Sequence, residues 1–153
     1  MKISQHLSLS EVTRSETAKR KGISNTPTAE HLDNFKLLAE KVFEPIRLHF
    51  GVPIHISSGY RSKELNDAIG GSQTSQHSKG QAIDIDMDGS TNGVTNKMIF
   101  DFIKEKLDFD QLIWEFGTDL NPDWVHVSYS KTGNRKQKLK AVRSGGKTTY
   151  LPI

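Results

Sequence analysis

The stretch Thr74–Ser90, TSQHSKGQAIDIDMDGS, decides how this chain is read. Within it, Gln81–Met87 alternates strictly. Ile83, Ile85 and Met87 point one way, and Ala82, Asp84 and Asp86 point the other. An apolar and a polar face at period two mark a half-buried strand. Three aspartates followed by Gly89 also imitate the start of a calcium loop. Such a loop needs a bidentate Glu at its twelfth position and a helix on either side. Counted from Asp84, the twelfth residue is Thr95, and the segment leading in alternates as a strand. Period two alone explains why Asp84 and Asp86 share a face.

His77 precedes that strand in a loop rich in Ser and Gly. The six residues between His77 and Asp84 let the loop fold back and bring both side chains to one ion. A hydrolytic zinc site takes three protein ligands and keeps one position open. The third must come from elsewhere. His6, His31, His49 and His55 lie in the N-terminal segment, on the long helix or on a short strand. His126 differs: it sits mid-strand in DWVHVSY and shares a face with Trp124 and Ser128. Asp123 lies three residues before it, and strict alternation puts Asp123 on the opposite face unless the strand starts irregularly.

Outward from this stretch, helices come first and strands gather later. Ser8–Glu11 has capping-box spacing and predicts a helix to about Lys19, ended by Gly22. Thr26 and Pro27 predict the start of the longest helix, where Leu32, Phe35, Leu38, Val42, Phe43 and Ile46 recur at helical spacing to about His49. Pro45 should kink or divide it. VPIHISSGY reads as a strand, RSKELNDAIGG as a short helix capped by Ser62, and Met98–Leu107 as an amphipathic helix. QLIWEF and WVHVSYS read as strands, and the tail KLKAVR-SGG-KTTYLPI as a hairpin. This order predicts an α+β fold in a single domain over residues 1–153.

The chain has 153 residues, no cysteine and a net charge of +3. A thiol nucleophile and a cysteine-held metal are therefore excluded. The basic cluster KTGNRKQKLKAVR has no interleaved aromatics, so it reads as a solvated face and not as a nucleic-acid site. No run approaches a membrane span, and the N-terminus lacks the apolar core of a signal peptide. The expectation is a monomer made in the cytoplasm, without membrane insertion.

SGYRS, SQHSKGQAIDID and DWVHVSY, in that order, closely resemble the zinc D-Ala-D-Ala peptidases of the M15 family, and most of all its small single-domain phage and bacterial branch. The pattern falls on Ser75, His77, Gly80, Ala82 and Asp84, then on Asp123 and His126, and the likeness runs from about Leu7 to Tyr129. The resemblance implies the compact Hedgehog/DD-peptidase fold, an antiparallel sheet with helices on one side. It implies zinc held by His77, Asp84 and His126, with Asp123 as general base and Arg61 stabilising the carbonyl oxygen. Ser75 would contact substrate. Some relatives carry a second His where Trp124 stands, so Trp124 is expected to wall the cleft instead. Asp86 is a candidate for orienting a ligand histidine. The implied activity is cleavage of peptidoglycan stem peptides or cross-links, as in a phage endolysin acting at the cell wall. The competing reading is a non-catalytic wall-binding module that keeps the fold.

Overall fold

The computed structural model describes residues 1–153. Strands β1 (Lys2–Ser4) and β2 (Leu7–Ser8) form a small antiparallel pair. Ser8 then opens α1 (Leu9–Thr13): its hydroxyl accepts from the Glu11 N–H, and the Glu11 carboxylate accepts from the Ser8 N–H. The helix predicted to run on to Lys19 is two helices. Arg14 is extended, and Ser15 caps α2 (Glu16–Lys21) by accepting from the Ala18 N–H. A second good cap residue satisfies N–H groups that a continued helix would otherwise bond itself. Gly22 ends α2 in the left-handed conformation, as expected.

The long helix starts two residues later than predicted. Pro27 holds Thr26 out of helical geometry, and Thr28 is the cap, accepting from the His31 N–H. Helix α3 (Ala29–Leu38) passes into a π-helical turn over Ala39–Phe43 and then into α4 (Glu44–Phe50). Pro45 is the reason. It has no N–H to bond back, and the widened turn, in which the Glu44 N–H reaches Ala39 O, absorbs the mismatch.

Strand β3 (Ile56–Ser58) is shorter than the sequence predicts, although Ile54 and Ile56 are both buried. Helix α5 (Lys63–Ala68) follows its Ser62 cap. A 3-10 turn over Gln76–Lys79 replaces part of the expected loop. Then come β4 (Ala82–Ile85), α6 (Asn96–Lys106), β5 (Gln111–Glu115) and β6 (Trp124–Ser128). The tail hairpin forms as expected from β7 (Gln137–Ser144) and β8 (Lys147–Pro152).

The main sheet has the order β3-β4-β6-β5-β7-β8. It is mixed, not wholly antiparallel, because β5 and β7 run parallel. After β6 the chain crosses past β5 to its free edge, and a strand antiparallel in direction to β6 is there parallel to β5. One face of the sheet buries Ile83, Ile85, Leu112, Trp114, Val125 and Val127 against Phe35, Phe43, Ile46, Ile99 and Ile103 from the helices. The other face carries only a small apolar cluster of Ile113, Leu139 and Ala141. Helices thus cover one side and leave the opposite face for chemistry. No helix is long and apolar enough to cross a membrane.

Asp110 ties this open face together. Its side chain, 7% exposed, accepts two hydrogen bonds from the Arg135 guanidinium, both at 2.9 Å, and one from the Arg135 N–H at 3.0 Å. It also accepts from Gln76 Nε2 at 2.9 Å, next to His77. Hydrogen bonds from Arg135 hold its pKa below the ordinary value, against the opposing effect of burial. The fold therefore favours the ionised form. Its contribution is whole above the ordinary Asp pKa of about 3.9 and is lost as pH falls toward the folded-state value. Asp110→Asn is expected to cost about 2 kcal/mol near neutrality, the scale of one charge-assisted hydrogen bond. In urea melts, the gap between the wild type and this variant should narrow as the pH falls below about 4.

Candidate active site

Strand register builds the site. Asp84 on β4 stands directly across from His126 on β6, and His126 stands across from Ile113 on β5. Directly opposed residues in an antiparallel pair share a face, with Cβ atoms about 4.5–5.5 Å apart. His77 arrives from the 3-10 turn. Its Nδ1–H donates to Gly59 O at 2.7 Å, which turns Nε2 toward Asp84. Asp84 Oδ1 lies 3.3 Å from His77 Nε2 and 3.0 Å from His126 Nδ1. One ligand atom from each of the three residues lies within 4.8 Å of the others. Two imidazole nitrogens and a carboxylate oxygen are a zinc donor set. Ligands 2.0–2.1 Å from a tetrahedral ion sit about 3.3 Å apart, so these side chains fit one with small adjustments. The carbonyl on His77 Nδ1 is the outer partner that a ligating histidine needs to fix its tautomer.

The electrostatics agree. Burial alone would raise the Asp84 pKa, but the charge of His77 and hydrogen bonds from both histidines hold its carboxyl well below the usual carboxylate range. Arg61 faces the same space. Burial lowers its pKa, while Asp84, Glu115 and Tyr150 oppose that. Its Nη2 lies 3.5 Å from Ser75 Oγ, its backbone N–H donates to His77 O, and its buried Nε has no protein partner. A cleft of about 1210 Å³ is lined by the three clustered residues together with Arg61, Ser75 and Trp124.

Of the expected site residues, Asp123 alone is not brought to this cleft. Alternation along β6 puts it on the face away from His126, where it is exposed. It lies near Asp86 and Asp88, and Asp86 and Asp123 both raise the Asp88 pKa, after the larger effect of burial. Asp86 likewise orients no ligand histidine. Its Oδ1 accepts from the Asp88 N–H at 2.9 Å and from Asn96 Nδ2 at 3.2 Å. Each of the four remaining histidines has a partner outside the cluster: His6 with Glu44, His31 with Tyr60, His55 with Asp86 O, and His49 stacked on Phe102.

Two features of the cleft are not predicted by the sequence. Glu115, 7% exposed, lines the cleft one row along the sheet from His126. Burial pushes its pKa up to about 7; Asp84 adds to the rise, and His126 and Arg61 oppose it. The only sequence signal was alternation in QLIWEF, which sets Ile113 and Glu115 apart from Leu112 and Trp114. The tail hairpin is the second feature. Arg143 lies over the Phe116 ring at 4.5 Å, Phe116 packs edge-on against Trp124 at 5.4 Å, and Tyr150 lines the same cleft. Arg135 is tied to Asp110, and Lys140 pairs with Asp119. The basic tail cluster is thus in part a cleft wall and not simply a solvated face.

Two glycines set the position of His77. A Cβ on Gly59 would come within 2.7 Å of Val12 Cα, so only glycine lets this carbonyl sit beside His77. Gly80, at φ +71, ends the 3-10 turn, and a Cβ there would strike His31 O and lie 3.1 Å from the Phe35 ring. Gly80→Ala should therefore cost about 2 kcal/mol in urea melts. Cobalt titration of the refolded variant should show weakened metal binding, because the turn carrying His77 must shift.

Among curated proteins, none matches the chain. The profile of the Peptidase M15 family matches residues 5–128, which includes the clustered histidines and aspartate and all of β3 to β6. A match over most of the chain, on residues that the fold gathers at one cleft, means that this protein belongs to the Peptidase M15 family.

Proposed function

We propose that the protein is a zinc-dependent peptidase that hydrolyses peptidoglycan stem peptides or cross-links beside a D-alanine. The observation that carries this is the convergence of His77, Asp84 and His126 on one point in the open cleft of a family member. Zinc held there would polarise the scissile carbonyl and lower the pKa of water to about 7.

The chain's own groups do the rest. Arg61 has no carboxylate within salt-bridge distance, and its charge faces the cleft. It is placed to stabilise the oxyanion that forms when the carbonyl carbon becomes tetrahedral. Ser75, against the Arg61 guanidinium, offers a hydroxyl to the substrate backbone. Trp124 and Phe116 form an apolar wall suited to a D-alanine methyl group. Arg143 beside them supplies a cation for the carboxylates of stem peptides. Such a substrate puts the protein's work at the bacterial cell wall, the setting of a phage lysin.

Purified peptidoglycan incubated with the protein should release peptide fragments identifiable by mass. Chelation should abolish the release, and added zinc should restore it. Free D-alanine would identify a carboxypeptidase, and resolved dimers an endopeptidase. His126→Ala should fold but lose stoichiometric zinc by metal analysis; retained zinc would remove His126 as a ligand. Arg61→Ala should keep zinc and lower kcat about 100- to 1000-fold, the scale of one oxyanion donor.

A further inference from the structure

We propose that Glu115 is the general base of this hydrolysis, in the place that the resemblance gives to Asp123. The assignment rests on the peptidase reading above and names the residue that moves the proton.

Three observations carry it. The first is register. Asp84, His126 and Ile113 form one row across β4, β6 and β5, and Trp124 and Glu115 form the next row on the same face. Glu115 is therefore the diagonal neighbour of His126, at a Cβ distance of at most about 7–8 Å. A glutamate side chain spans most of that gap. The second is its surroundings. The residue is 7% exposed, yet it lines the cleft, and its carboxylate makes no hydrogen bond or ion pair with the protein. Its oxygens are not sealed from solvent, so the carboxylate opens onto the cleft as a free acceptor.

The third is the placement of Asp123. Its backbone N–H donates to Glu115 O at 2.9 Å, and its carbonyl accepts from the buried Asn96 Nδ2 at 3.0 Å. Both backbone groups are engaged, so turning its side chain into the cleft would break the start of β6. The carboxylate stays on the far face, beside Asp86 and Asp88.

In the step itself, the oxygen of the attacking water bonds to the scissile carbonyl carbon, and one of its protons passes to a Glu115 oxygen. Glu115 then gives that proton to the amide nitrogen as the C–N bond breaks. The products are a carboxylic acid and an amine, and Glu115 returns as the carboxylate.

The test compares wild type, Glu115→Gln and Asp123→Asn on a synthetic stem peptide, with zinc content, melting temperature and calorimetric binding of intact peptide measured beside kcat. Glu115→Gln should keep one zinc, its melting temperature and its peptide affinity while losing at least about 100-fold in kcat. Asp123→Asn should stay within about threefold of wild type in every readout, as a group outside the reaction does. The assignment is overturned if Glu115→Gln turns over at near wild-type rate. Loss of zinc from Glu115→Gln also overturns it, because Glu115 would then be a ligand or a prop. So does a collapse of kcat in Asp123→Asn with zinc retained. A wild type that holds zinc but cleaves no peptide defeats the peptidase reading itself, and this assignment with it.

Discussion

The site depends on two histidine rings meeting one carboxylate oxygen across paired strands. Asp84 is largely enclosed, and an enclosed carboxylate is costly unless positive or donor groups surround it. His126 meets that need from the opposed position on β6, and His77 from a turn held by Gly59 and Gly80. A one-residue slip of β4 against β6 would send Asp84 to the helix face, away from His126. The apolar residues between them, Ile83, Ile85, Val125 and Val127, forbid that slip because they are fully buried. The hydrophobic core thus sets the register, and the register brings His126 and Asp84 together.

That division of labour explains the rest of the sheet. The helix-covered face does the packing, so the open face can carry charge. Glu115 and Arg61 share the cleft of Asp84 without an ion pair of their own, an arrangement that favours ligand binding over stability. Asp110 supplies the local rigidity, joining the turn beside His77 to the connection that leads into β7. Beyond the span matched by the family, β7 and β8 extend the open face with Arg143 and Tyr150. The hairpin gives this chain a cleft wall of its own.

The DIDMDG run divides between the two faces of this design. Asp84 belongs to the cleft. Asp86 binds the turn that follows it and the buried Asn96, whose Oδ1 accepts from the Met87 N–H at 2.6 Å and whose Nδ2 reaches Pro122 O and Asp123 O. One asparagine thereby ties the end of β4 to the start of β6. The likeness to a calcium loop came from strand alternation meeting a turn, with no shared ligand sphere behind it.

Much was legible in the sequence because it is encoded locally. Alternation in QAIDIDM, the Ser8 and Ser62 caps, the left-handed stop at Gly22 and the helical period of α3 each depend on neighbours within a few residues. His77, Asp84 and His126 could be chosen because their residue types and order carry a specific likeness. Other features depend on partners far along the chain. The parallel pairing of β5 with β7 follows from which edge the chain crosses to after β6. The burial of Glu115 needs β6 and β7 on either side of β5. Placement of Asp123 follows from the Asn96 and Glu115 hydrogen bonds that begin β6. Sequence alone determined the fold class and the three residues that converge at the site. Tertiary structure decided which carboxylate faces them, because that choice is made by strand register and cross-strand contact, which no local pattern records.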